Sequence, residues 1–335
     1  MIIYMSAYSS ENSANATDRR IHRLTDTALT IYNNVKIEDN LHVIMVYSNI
    51  CHFKRRKYLA EQFRDEMLKS LDVKLYIVEL AYGDNPYEIT EKDNKQHLQL
   101  STANDNVIWL NECMINLGIQ KLLPSCWKAV AWIDADISFD SIHWASDTLR
   151  ILNGHRDVVQ LFNICLDLDK EGNTMTCYHS LGYQYETRQK YYRTVVNFSH
   201  SGYAWACTRR FYDVFMKSIL EYEILGSADY KLALAFFNID TLAYCEDHEA
   251  ILNDLKERVK FCRLGYVPTL ITHHFHGSKI NRGYNTRYLQ LVKYKFNPKT
   301  MLDRDEQGLL IPSKRFPRGL LTYIKKYMLD RSEDE

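Results

Sequence analysis

The chain has no excess of charge of either sign: Lys plus Arg and Asp plus Glu number 42 each over 335 residues. That balance removes the strong positive field on which non-specific duplex binding depends and leaves only local basic patches. Long apolar runs are missing too. No stretch approaches the ~18 apolar residues of a membrane span, and the opening MIIYMSAYSSENSANATDRR has no apolar run of signal-peptide length. A cytoplasmic product is therefore expected. Repeats, low-complexity tracts and obvious linkers are lacking, which favours one catalytic domain with short extensions. No CxxC occurs among the eight cysteines, so they read as buried, reduced thiols and not as zinc ligands. Two glycosylation sequons, at Asn15 and Asn197, would matter only in a secreted chain.

What is present is ordinary globular material, 46% apolar and 25% charged, with one unusual feature, 24 tyrosines. A tyrosine ring offers a flat apolar face with a hydroxyl at its rim, which suits sugars and bases, although it is also a common strand residue.

Residues 1–38 are polar and read as an N-terminal extension with a short helix near Leu24 to Tyr32. Leu41 to Tyr47 is a compact apolar run, a strand, and Lys54 to Leu71 follows with apolar residues at helical spacing. A second strand from Val73 to Glu79 ends in the loop Gly83-Asp-Asn-Pro86. A helix from Val107 to Leu123, closed by Pro124, precedes a third strand at Trp127 to Ile133. A helix near His143 to Leu152 and a strand at Asp157 to Phe162 continue the alternation, and helical patterns return at Thr208–Ile219, Ala228–Phe237 and His248–Val259. Such alternation predicts an α/β chain with a mostly parallel central sheet flanked by helices, binding ligands at the carboxyl ends of its strands. The expected units are a catalytic domain over 39–300 and a C-terminal helical tail over 301–335.

The sharpest feature is Trp132-Ile-Asp134-Ala-Asp136-Ile-Ser-Phe, two carboxylates two residues apart at the end of a buried strand. In a strand, positions i and i+2 point to one side, so both can reach one cation. Hard oxygen ligands suit Mn²⁺ or Mg²⁺, which neutralises a diphosphate leaving group. The bland reading is that both acids begin a solvated loop. A second cluster is Thr272-His273-His274-Phe275-His276-Gly277-Ser278-Lys279, followed by Arg282. Imidazole completes many Mn²⁺ spheres, and the nearby cations suit phosphate oxygens; otherwise this is an exposed polar loop. Between these lie His200-Ser-Gly202-Tyr-Ala-Trp205 and Leu225-Gly226-Ser-Ala-Asp229. Gly202 permits close backbone approach, Trp205 offers a stacking face, and Asp229 is either a base or a helix cap.

WIDADISF, HSGYAWA, ILGSADYKLAL and HHFHGSKINRGY, in that order, resemble a family of GT-A glycosyltransferases from bacteriophages, large viruses and bacteria, over roughly residues 41 to 300. The layout is also similar to the β1,4-galactosyltransferase and polypeptide GalNAc-transferase groups. The resemblance implies a GT-A (Rossmann-like) fold and a UDP-sugar donor. It places Asp134 and Asp136 on the donor's metal, with His276 as a late metal ligand, His273 the second candidate, and Asp229 as base. The chain departs from the galactosyltransferases in having Ser227-Ala228 where their acidic pair leads into the base. It further implies donor contacts from Asn111 and Glu112, at the start of the helix before the DAD strand, and from Lys54 and Arg55 in the basic triplet Lys54-Arg55-Arg56 after the first strand. His200, Gly202, Trp205, Lys279 and Arg282 complete the donor and substrate set.

The reading is a metal-dependent transferase moving sugar from a UDP-sugar to an acceptor hydroxyl. Inversion follows if Asp229 is the base, and retention stays open. The acceptor is a glycan or, by the same resemblance, a hydroxymethylated pyrimidine in DNA. A DxD nucleotidyltransferase or phosphohydrolase would want a third acid and a phosphate loop. A sugar-binding module would leave the DAD and histidine clusters idle.

Overall fold

The computed structural model describes residues 26–187, 199–216, 220–240, 242–284 and 286–335. Residues 1–25 of the extension, both sequon asparagines, and the end of the helix expected over 208–219 lie outside them.

The strands in chain order are β1 (Leu41–Ser48), β2 (Val73–Tyr82), β3 (His97–Thr102), β4 (Ala129–Ile133), β5 (Ile137–Phe139), β6 (Val158–Gln160) and β7 (Ile164–Leu168). They continue with β8 (Thr174–His179), β9 (Ala204–Thr208), β10 (Leu264–Tyr266), β11 (Leu270–His273), β12 (Leu302–Arg304) and β13 (Leu310–Pro312). Seven form the central sheet in the order β10-β6-β9-β4-β1-β2-β3. Neighbours are parallel except β9, which runs antiparallel to both β4 and β6. The mostly parallel α/β sheet expected from the sequence is present, flanked by helices.

β1 reads as a continuous apolar run because both its faces are covered. Ile44 belongs to the apolar cluster on one side of the sheet; Val43 and Met45 belong to the cluster on the other. The helix Lys54–Lys69 buries Leu59, Ala60, Phe63 and Met67 as one stripe. The helix Asn111–Leu122 packs so closely that a Cβ on Gly118 would meet Val78 Cγ2 at 2.7 Å, so glycine is required there.

Three features were not foreseen. The strand at His97–Thr102 extends the sheet edge. A second sheet, order β5-β11-β7-β8, stands beside the first. The C-terminal part is more than a helix: β12 and β13 form a hairpin before the helix Arg318–Asp330, and Leu302, Leu310, Leu320 and Ile324 join the same apolar cluster as Ile44. All eight cysteines are unpaired, but only Cys113, Cys165, Cys207 and Cys262 are buried, whereas Cys126 and Cys177 are exposed. Among the described residues no helix is long and apolar enough to cross a membrane.

Candidate metal centre

The second sheet assembles the site. β11 pairs antiparallel with β5, setting His273 opposite Ile137 and therefore beside Asp136. On its other edge β11 runs parallel to β7, setting His273 opposite Asp167. The chain then turns, and His276 comes back to the same point. Asp136, His273 and His276 each offer one ligand atom, all within 4.8 Å of one another. His276 Nε2 lies 2.9 Å from Asp136 Oδ2, His273 Nε2 lies 3.8 Å from Asp136 Oδ1, and the two Nε2 atoms are 3.2 Å apart. Adjacent ligands of an octahedral cation with bonds of about 2.1 Å are about 3 Å apart, so the spacing suits one ion.

Two further observations fit a cation. Asp136 Oδ1 is buried with no hydrogen-bond partner. His273 Nδ1 lies 2.6 Å from Asp167 Oδ1, the carboxylate-to-imidazole contact that orients a metal-binding histidine. Burial alone would raise the Asp136 carboxyl, but His276 and His273 outweigh it and hold it far below the ordinary carboxylate range. Asp167, 1% exposed, is likewise held low despite burial by His273 and Lys279.

The remaining expected residues divide into those that join the centre and those that do not. Asp134 is not one of the three grouped ligands. The chain leaves β4 at Ile133 and turns before β5, so the alternation that would align Asp134 with Asp136 is interrupted. Water reaches its side chain, yet protein encloses it on most sides. That enclosure, with the charges of Asp136 and Asp229, holds its pKa well above the ordinary value. His274 points elsewhere, with Nε2 2.7 Å from Ser138 Oγ. Arg282 lies against His276, 2.8 Å from Nδ1, and donates to its carbonyl at 2.9 Å. Lys279 donates to Tyr178 at 2.8 Å and pairs with Asp167.

Because β9 is antiparallel, the residues preceding it arrive at the same sheet edge as the carboxyl ends of β1 and β4. His200 stacks on Tyr203 with centroids 3.9 Å apart and accepts the Gly202 N–H at 3.0 Å; burial pushes its pKa down to about 3. A Cβ on Gly202 would sit 3.1 Å from both His200 Cε1 and Asp229 Oδ2, which is why this position takes glycine. Asp229 stands in the first turn of the helix Ala228–Phe236, whose N-cap is Ser227, and it accepts from Ser201 Oγ at 2.8 Å. Gly226 and Ser227 are both left-handed, φ 78° and 82°, and Arg287 donates to Ser227 Oγ at 2.6 Å, pinning that turn.

Trp205 does not offer the stacking face expected of it. It is 2% exposed within β9 and donates its indole N–H to Ser201 O at 2.9 Å. Trp109 has a buried Nε1 with no partner, and its ring lies under Arg331. Asn111 begins the adjacent helix, and Glu112 follows with a buried Oε2 that is also unpartnered. Burial, with Asp229, Glu223 and Asp134 nearby, pushes the Glu112 pKa up to about 8. Such a group binds a proton in the folded chain that the unfolded chain has released, so it subtracts stability as pH rises from about 4.5 to 8. Relative to the native chain, Glu112→Gln is expected to gain melting temperature steadily between pH 5 and pH 8, with no difference below pH 4. A pH-independent difference in thermal denaturation would show that the carboxyl is already charged.

Lys54 and Arg55 open the helix Lys54–Lys69 at the carboxyl end of β1. Arg55 Nε donates to Phe275 O at 2.9 Å, bridging to the histidine loop. Sequence reasoning missed two participants, Asp167 and Glu333, and singled out Arg56 only as part of the basic triplet Lys54-Arg55-Arg56. Asp167 carried one signal, a lone acid in the apolar strand Ile164-Cys-Leu-Asp-Leu168.

The fold and site define a mixed α/β protein with a candidate two-histidine, one-carboxylate metal centre at the ends of its central strands. No family model and no curated protein matches the chain. It is similar to a solved structure from Desulfovibrio desulfuricans G20, provisionally named a nucleotide-diphospho-sugar transferase. The identity is 11%, covering 86% of this chain and 97% of that chain, with a TM-score of 0.30.

Proposed function

We propose that this chain is a metal-dependent glycosyltransferase that takes a sugar from a nucleotide-diphosphate donor, most simply a UDP-sugar, to an acceptor hydroxyl. The observation that carries the reading is the convergence of Asp136, His273 and His276 at the carboxyl ends of the sheet, with a buried Asp136 oxygen that has no hydrogen-bond partner. The mixed nitrogen and oxygen set suits Mn²⁺ better than Mg²⁺, which prefers oxygen alone. A cation held there would neutralise charge on the departing diphosphate.

The chain's own residues supply the rest. Arg282, Arg55 and Lys279 surround the histidine loop and suit phosphate oxygens. Trp109 Nε1 and Glu112 Oε2 present an unpaired donor and an unpaired acceptor that sugar hydroxyls would satisfy. Asp229, held by Ser201, takes the acceptor's proton, which makes the reaction inverting. Residues 39–300 would carry this chemistry. Two histidines and a carboxylate also serve iron oxygenases; the basic residues gathered here favour a phosphorylated ligand instead.

The test is UDP release from a panel of UDP-sugars with Mn²⁺ or excess EDTA, followed by glycan and hydroxymethylated-DNA acceptors. Turnover confined to Mn²⁺ supports the proposal; no turnover of any donor would sink it. Ligand assignment is checked separately. His276→Ala is expected to raise the Mn²⁺ concentration for half-maximal activity by about 10- to 100-fold, the scale seen when metal sites are disturbed. His274→Ala, which disturbs only Ser138, should change it less than about threefold on that scale. Equal effects would mean that the wrong histidine is assigned.

A further inference from the structure

Near the end of the chain, the segment Arg331-Ser-Glu-Asp334 lies against the site, with Arg331 and Glu333 buried there. Glu333 is 1% exposed and Arg331 4% exposed. Arg56 Nε donates to Glu333 Oε2 at 2.7 Å, and Arg331 Nε donates to Oε1 at 2.7 Å. Glu333 Oε2 also lies 3.8 Å from His276 Nδ1, on the candidate metal centre itself. Asp334 accepts the backbone N–H groups of Arg55 at 2.7 Å and Lys54 at 3.1 Å, the first orphan donors of the helix Lys54–Lys69. The tail backbone presses on the histidine loop: a Cβ on Gly277 would meet the carbonyl oxygens of Arg331 and Ser332 at 3.0 Å each. Arg331 in turn lies over the Trp109 ring, 5.2 Å from its centroid.

A buried carboxylate is costly unless cations surround it, and here two arginines do. Burial works against the charge, and Arg56, His276 and Arg331 override it, holding the Glu333 carboxyl well below its ordinary range. A helix N-terminus with arginines beside it is also the arrangement that binds phosphate. Two carboxylates, one between the arginines and one on the amides, therefore sit where two phosphate groups would find the same donors.

We propose that Glu333 and Asp334 act as an internal competitor for the donor's diphosphate, holding its seat between Arg56, Arg331 and the helix N-terminus until the ligand displaces them. This rests on the reading of the ligand as a diphosphate. A closed tail lowers apparent affinity by the fraction of molecules that are closed, so weakening the tail tightens binding with no new contact. Arg331, released from Glu333, would remain beside the seat as a further phosphate contact.

The test uses the full chain with inorganic pyrophosphate and Mn²⁺. Hydrogen exchange at residues 331–335 is expected to speed up on adding pyrophosphate, and Glu333→Gln should lower the calorimetric Kd for pyrophosphate about tenfold. Asp334→Asn, an exposed change that spares the core, should lower it by a smaller factor. Unchanged or slower exchange in the tail, or weaker binding by either variant, would overturn the inference. If pyrophosphate and UDP both fail to bind, the donor reading falls with it. If UDP-sugar turns over while the tail stays protected, only the competitor role is lost.

Discussion

Asp136→Asn is expected to reduce UDP-sugar turnover at least about a thousandfold while leaving the fold intact. The magnitude follows from the clamp a cation provides, worth several kcal/mol of charge stabilisation, at 1.36 kcal/mol per factor of ten. The fold should survive because asparagine keeps the shape and the main-chain bond from His274 N to Asp136 O, 2.8 Å, is untouched. What is lost is the anion facing two imidazoles, together with a buried carboxylate oxygen that has no hydrogen-bond partner. Circular dichroism, thermal denaturation and UDP release at saturating Mn²⁺ check it. Activity above a tenth of native would mean that the carboxylate is structural.

Asp229→Asn should separate binding from chemistry. The acceptor hydroxyl must lose a proton as the glycosidic bond forms, and a positioned carboxylate contributes ~10²–10⁴-fold in rate. Asparagine still accepts from Ser201 Oγ, so the turn at Gly226-Ser227 keeps its shape. UDP-sugar affinity by calorimetry should therefore stay within about threefold, with transfer falling at least about a hundredfold. Near-native transfer would remove Asp229 as base, and product stereochemistry by NMR would then show whether the reaction retains configuration.

What was legible in the sequence is what local pattern determines. β1 and β4 are central strands covered on both faces, so they appear as apolar runs, and the helix Lys54–Lys69 carries its buried stripe at helical spacing. The DAD and histidine elements were visible because their residue types are rare in packed cores. Their geometry was not. The expectation that Asp134 and Asp136 share a strand face failed to foresee the turn between β4 and β5, and Asp167 takes the supporting place beside the centre. That role depends on the pairing of β7 with β11, more than a hundred residues apart, which no local period encodes. The strands of the second sheet are three to six residues long, too short to show alternation. Trp205 was misread because an aromatic beside glycine suits a ligand face and a sheet interior equally. The burial of Glu333 was not legible because exposed and buried charge runs look alike until Arg56 and Arg331 are seen around it.

The most direct test of the metal centre is anomalous diffraction from crystals soaked with Mn²⁺ and UDP. The account predicts one strong manganese peak within about 2.4 Å of an Asp136 carboxylate oxygen, His273 Nε2 and His276 Nε2, with the UDP diphosphate against it. UDP bound beside the histidine loop with no manganese there, or manganese held by other residues, would contradict it.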